Sequence, residues 1–159
     1  MSNRLEALEN WAGGLLGQLE PASRKTLTRN IGQALRRTQQ QRIIAQRNPE
    51  GSRYAPRKQY NLREKQGRMK QKAQMFAKLR KVNFLKVETN ERKVEIGFTG
   101  RPAQIARVHQ FGLKDRATTD ARKVRYAKRK ILGITRKDIK QLNHILSRYL
   151  YYNDSALYI

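Results

Sequence analysis

The side chains able to do acid–base, nucleophilic or metal chemistry in this 159-residue chain are few and scattered. The absence of cysteine removes thiolate nucleophiles, disulfides and Cys-based zinc sites. The two histidines, His109 and His144, stand in no His-x-x-x-His or Glu-containing zinc pattern. Glu88, Glu91 and Glu95 are closely spaced, but they surround a predicted β-turn beside Lys86, Arg92 and Lys93. That setting favours solvated ion pairs over a converging acid–base pair. Gly13-Gly14 is followed by leucines, and Gly97 and Gly100 have no Lys-Ser/Thr after them, so no phosphate-cradling loop is encoded. The expectation is no catalytic residue, no metal ligand set and no cofactor.

The chain's abundant chemistry is positive charge: 36 Lys and Arg against 12 Asp and Glu, a net +24. Residues 48–81 carry +9 and 101–141 carry +10, while 82–100 and 142–159 each sum to zero. Such self-repulsion destabilises a compact domain unless a polyanion or acidic partner lies beside it. Arg122, Lys123, Arg125, Lys128, Arg129 and Lys130 place six cations in nine residues and are the candidate contact for that partner. Tyr60 and Tyr126 lie among the charges, where stacking on bases competes with ordinary cross-strand packing. No recognition-helix or RNA-recognition signature accompanies them.

The apolar pattern predicts the elements that position these groups. A length of 159 residues with 38% hydrophobic content suits one domain. Leu5, Leu8, Trp11, Leu15 and Leu19 recur at helical spacing, although Gly13 and Gly14 weaken the stripe. Ser23 is a candidate N-cap for a long helix carrying Leu27, Ile31, Ala34, Leu35 and Thr38 as far as about residue 46. Asn48-Pro49 stops it. Residues 48–66 hold two prolines and almost no aliphatic residues, and they read as an exposed, mobile arm including Asn48, Pro49, Tyr54 and Pro56.

Residues 67–81, with Met69, Met75, Phe76 and Leu79, return to helical spacing. The period then changes to two. Residues 82–88 and 93–98 predict a β-hairpin, with Val94, Ile96 and Phe98 on one face. A short helix follows, with Ile105, Val108 and Phe111 on a shared face and Gly112 as its stop. A third strand from Val124 through about Leu132 is expected beside the hairpin. Thr135-x-x-Asp138 caps an amphipathic helix bearing Ile139, Leu142, Leu146 and Tyr149. Tyr151, Tyr152, Leu157, Tyr158 and Ile159 follow as a sticky tail and candidate subunit interface.

These elements predict an α+β fold: N-terminal helices, a small antiparallel sheet made of a β-hairpin plus a third strand, and a C-terminal amphipathic helix. The organisation reads as an N-terminal helical segment (1–47), the arm (48–66) and an α+β core with its helix and tail (67–159), in one domain overall. No run approaches the roughly 18 apolar residues of a membrane span. The first twenty residues lack the basic and apolar regions of a signal peptide.

Three segments, RNPEGSRYAPRK (47–58), VEIGFTGRPAQIARVHQFGL (94–113) and RKILGIT (129–135) followed by a helix, recur in order with family-like separations. Together they resemble the tail completion protein S family of contractile-tailed temperate phages, also called phage virion morphogenesis proteins. The resemblance covers the last two thirds of the chain. It implies a structural, non-enzymatic subunit at the head-proximal end of the tail, acting in tail termination and head–tail joining. It further implies a homo-oligomeric ring in the virion neck, assembled in the host cytoplasm on other tail and neck proteins. Packaged DNA would pass nearby, and no membrane would be involved. In the family pattern His109, Phe111 and Gly112 mark a structural junction. The rival readings are a free-standing basic nucleic-acid-binding protein without sequence specificity and a nuclease or recombinase fragment. Arg107, His109, Arg125 and a late tyrosine match tyrosine recombinases in residue type, but with wrong spacings and too short a chain.

Overall fold

A computed structural model describes residues 19–57, 74–116 and 121–155, with scattered positions before residue 19. In chain order the described elements are α1 (Pro21–Ile44), β1 (Leu85–Thr89), β2 (Val94–Phe98), α2 (Arg101–Phe111), β3 (Lys114–Asp115), β4 (Val124–Arg125) and α3 (Arg136–Ser155). The fold is α+β, as the apolar periods predict. The chain forms two compact units: residues through Thr38, Leu85–Gly97 and Ile134 onward make one, and Gln39–Phe84 with Phe98–Gly133 make the other.

In the first unit, the four-residue row Leu27, Ile31 and Leu35 gives α1 an apolar stripe, and Leu27 is fully buried against Leu146 of α3. Ile31, Ile145 and Tyr149 close around that pair, and the Tyr149 hydroxyl donates to the Ser23 carbonyl at 2.9 Å. Ser23 is not the N-cap, because the helix starts two residues earlier at Pro21, whose fixed φ and missing N–H suit the first turn. At Gly32 the helix has room only for hydrogen. A Cβ there would lie 2.5 Å from Val87 Cγ1, 3.1 Å from Thr89 Cγ2 and 3.3 Å from Val94 Cγ1 of the hairpin.

The predicted capping pattern opens α3. Asp138 Oδ2 accepts from the Thr135 N–H and hydroxyl, both at 2.8 Å, and Thr135 Oγ1 accepts from the Asp138 N–H at 3.1 Å. Asp138 is 2% exposed, and its carboxylate sits at the positive end of the helix. The helix runs to Ser155, so Tyr151 and Tyr152 belong to its last turns and not to a separate tail. Helical spacing continues through them; the sequence reading ended the helix too early. Leu157, Tyr158 and Ile159 lie outside the described residues.

The second unit packs Ile43, Leu79, Ala106 and Ile131 together, with Phe76 and Phe98 against them. Here several expectations fail for one reason: side-chain amides satisfy the backbone where a sheet or helix was expected. The predicted third strand is β4, only two residues long, and it pairs with β3 rather than with the hairpin. From residue 129 onward the backbone N–H groups go elsewhere. Arg129 donates to the His109 carbonyl, Lys130 to Asn48 Oδ1, Ile131 and Leu132 to Gln110 Oε1, and Gly133 to Gln39 Oε1. Gln110 Nε2 and Gln39 Nε2 return bonds to the Leu132 and Gly133 carbonyls. An extended strap with every N–H from 129 to 133 bonded needs no neighbouring strand.

Likewise the described part of the predicted 67–81 helix, residues 74–81, is not helical, and 75–80 form a series of turns. Gln46 ends α1 in the left-handed region at φ 55, and its amide bonds both the N–H and the carbonyl of Met75. That capture holds the turn segment, in which Phe76 also has positive φ. In α2 the predicted face is wrong by a step: Val108 is buried, but Ile105 is 52% and Phe111 62% exposed. Pro102 and Ala106 share the inward side with Val108 instead.

Gly32→Ala should lower stability by about 1–2 kcal/mol, because overpacking against a stiff β-branched strand outweighs the better helix propensity of Ala. Thermal or urea unfolding of the purified chain measures it. Gln110→Leu keeps the volume but leaves Ile131 N–H, Leu132 N–H and Leu132 C=O without their partner, so a loss of about 3 kcal/mol or more is expected in the same measurement.

Candidate functional site

The six-cation cluster does not act as one surface. Arg129 is 5% exposed, and its guanidinium is enclosed by backbone carbonyls. Nε donates to Ala55 O and Nη2 to Pro56 O, both at 2.8 Å, and Nη1 donates to Ala127 O at 3.3 Å and lies 3.0 Å from His109 Nδ1. Among the described residues no carboxylate accompanies it. Burial and the nearby Arg57 charge push the Arg129 pKa down, yet a guanidinium stays protonated throughout the physiological range. Arg129 is therefore a structural cation, and sequence alone could not separate it from its exposed neighbours.

The other five, Arg122, Lys123, Arg125, Lys128 and Lys130, are exposed. Arg125 lies on β4 with Lys114 as its directly opposed partner across the ribbon. Lys128 packs its Cβ near Gly112, whose φ of 67 closes α2 in the left-handed conformation. Lys130 Nζ is 3.6 Å from Glu50, half-exposed on both sides.

His109, Phe111 and Gly112 divide into different roles. The His109 ring is half-buried between Phe76 and Tyr126, with edge-on centroid separations of 4.9 and 5.1 Å, and Phe76 stands 5.6 Å from Tyr54 in the same way. Its Nδ1 faces the Arg129 guanidinium, which fixes it as the acceptor of a neutral ring. Burial and then the Arg129 charge lower the His109 pKa, opposed by a bond to the Ala127 backbone. Tyr126 is half-buried and packs edge-on against His109.

The residues assigned to a mobile arm are placed differently from that expectation. Asn48 and Tyr54 are 8% and 5% exposed, Pro49 lies against Gly133, and the Pro56 carbonyl holds Arg129. Few aliphatic residues are needed because an Arg47–Arg53 bridge, the Asn48 amide and one aromatic ring anchor the segment. Burial drives the Tyr54 hydroxyl pKa up to about 12. Residues 58–66 lie outside the described residues.

Sequence reading missed Gln39, Gln46 and Gln110, and gave Asn48 only as a helix stop and an arm residue. A signal existed for two of the three. Gln39 continues the row Leu27, Ile31, Leu35 toward Ile43, and Gln110 continues Pro102, Ala106, so each is a polar residue on a buried stripe. Such a residue must find a partner inside.

Among the acids, Lys93 Nζ and Glu95 pair at 2.6 Å with more than half of each side chain exposed. His144 is exposed on α3. Among the described residues no three His, Cys, Asp or Glu side chains group to hold a metal ion, and no helix is long and apolar enough to cross a membrane. A groove of about 570 Å³ opens beside Phe76, His109 and Tyr126, with Arg57, Lys78 and Arg125 among its lining and no carboxylate.

The lowered His109 pKa sets a direction. Protons bind the unfolded chain more readily, so stability is full above the ordinary His value of about 6.5 and falls as pH drops below it toward the depressed folded value. The thermal midpoint should fall between pH 7 and 5, and His109→Asn, which keeps an acceptor for Arg129, should flatten that part of the profile.

The comparisons with known proteins point to the family that the three segments resemble. A model of the phage virion morphogenesis family matches residues 3–151, which extends the likeness beyond the last two thirds of the chain. The chain is 37% identical over 149 residues to tail completion protein S of Escherichia phage P2, spanning 93% of this chain and 98% of that relative. No solved structure matches the chain. Its strap, its buried arginine and its capped C-terminal helix are thus features of a protein that belongs to the phage virion morphogenesis family.

Proposed function

We propose that this chain is a structural, non-enzymatic tail completion protein, acting at the head-proximal end of a phage tail in tail termination and head–tail joining. The observation that carries the reading is the nearly end-to-end likeness to a protein named for tail completion, with 98% of that relative covered. The site chemistry is in keeping with it. The most conspicuous buried titratable pair, Arg129 and His109, has its polar groups directed at backbone carbonyls and at each other, an arrangement that holds a loop in place.

In this reading the protein works in several copies, as a homo-oligomeric ring in the neck, on other tail and neck proteins. Tyr151, 73% exposed on the last turns of α3, together with Tyr152, Leu157, Tyr158 and Ile159, supplies the subunit contact, since aromatic anchors dominate protein interfaces. The free-standing nucleic-acid-binding reading has one observation in its favour, the exposed cations at 122–128, and these fit a neck subunit beside passing DNA equally well.

Electron microscopy of particles assembled without this protein tests the proposal. Unattached DNA-filled heads with unfinished or overlong tails are expected, and complementation with the intact gene should restore joined particles. Normal virions in its absence would remove the assignment.

A further inference from the structure

The uneven charge along the sequence is gathered into one of the two units. The unit formed by Gln39–Phe84 and Phe98–Gly133 carries 23 Lys and Arg against four Asp and Glu, a net +19. The other carries 13 against eight, a net +5. Within the more basic unit the β3–β4 ribbon shows where the excess is displayed.

Lys114 and Arg125 are direct partners across this antiparallel pair, so both side chains leave the same face, and both are exposed. Like charges directly opposed weaken a ladder, and a two-residue ladder has little to lose. Exposed Arg116 follows β3, and exposed Arg122 and Lys123 precede β4. The only acid within the two strands, Asp115, accepts the Arg116 backbone N–H through Oδ1. Among the described residues of the ribbon and its flanks, five exposed cations stand beside one carboxylate, Asp115.

We propose that the β3–β4 ribbon with Arg116, Arg122 and Lys123 is a contact surface for the phosphate backbone of double-stranded DNA, independent of base sequence. A protein partner is the weaker fit, because interface centres are built on apolar and aromatic anchors and are depleted in Lys. Here the exposed side chains of both strands are cations. Duplex DNA instead presents a dense, continuous line of negative charge, and long flexible cations on adjacent strands can follow it. The strands carry no Asn or Gln for reading adenine edges, in keeping with sequence-independent contact. Arg129, six residues after Lys123, takes no part, since backbone carbonyls already enclose it.

This surface deepens the reading of a neck subunit beside passing DNA, but its test uses purified full-length protein and is decided apart from the particle experiment. Binding of two unrelated duplexes is followed by fluorescence anisotropy between 50 and 200 mM salt for the parent and for the triple variant Lys114→Gln, Arg122→Gln, Arg125→Gln. Loss of three phosphate contacts should make the slope of log affinity against log salt shallower by about 2.7, so the parent loses about 40-fold more affinity than the variant over that range. The two duplexes should behave alike. The thermal midpoint of the variant should equal or exceed the parent's, because opposed like charges are relieved; a structural role would lower it. The hairpin variant Lys86→Gln, Arg92→Gln, Lys93→Gln removes the same charge from the other unit and should leave the slope unchanged.

An unchanged slope in the ribbon variant, or an equal change in the hairpin variant, overturns the proposal. A ribbon variant that keeps the parental salt slope yet is lost from assembled particles also overturns it and reassigns the ribbon to an acidic protein partner.

Discussion

A buried guanidinium without a carboxylate is the constraint on which the basic unit depends. Removing a charge from water costs several kcal/mol even after relaxation, and the usual remedy is an opposite charge with good geometry. This chain has three cations for every acid, so most of its cations have no acid to pair with. Arg129 is held by dipoles instead. The carbonyls of Ala55, Pro56 and Ala127 and the His109 ring nitrogen surround its donors, and charge-assisted bonds of this kind are roughly twice as strong as neutral ones. The same bonds tie residues 54–57 and the end of α2 to the strap. One side chain thereby fixes three stretches of chain that have no regular pairing with one another.

Neutral amides extend the same solution along the strap. Asn48, Gln110 and Gln39 meet successive backbone groups from Lys130 to Gly133, and Gln46 does the same for Met75. Each amide offers a donor and an acceptor in one plane, which is what an unpaired extended backbone presents. Gly133 has its place for a steric reason, because a Cβ there would stand 2.5 Å from Pro49 Cγ. The side chains that shape this unit are therefore ones that hydropathy ranks as surface residues.

That explains which parts of the structure were legible in the sequence. The hairpin, the Thr135–Asp138 cap, the Gly112 stop and the long α1 all rest on local rules: alternation, side-chain capping, positive φ and four-residue apolar rows. Each was readable from a few adjacent residues. The third strand and the described parts of the 67–81 helix and of the exposed arm differ from expectation because their backbone partners are amides and carbonyls 21 to 94 positions away, as in the Gln110–Ile131 and Gln39–Gly133 bonds. Of the candidate site, the exposed cations were legible as composition, but Arg129 could not be told from Arg125. The partner that distinguishes them is a backbone carbonyl, and every residue has one.

Holding the fold with uncharged groups has a consequence for the surface. Interactions between exposed ions are screened by salt within about 10 Å at 0.1 M, whereas buried amide–carbonyl bonds are nearly indifferent to it. A +19 unit stabilised by ion pairs would have its cations engaged internally and would change stability with every change in ionic strength. In the observed arrangement the groups that fix the strap are neutral or sealed among carbonyls. The strap then depends on packing and amide satisfaction, variables to which salt is nearly irrelevant. A chain built this way tolerates a high surface charge because little of its interior depends on how that charge is paired.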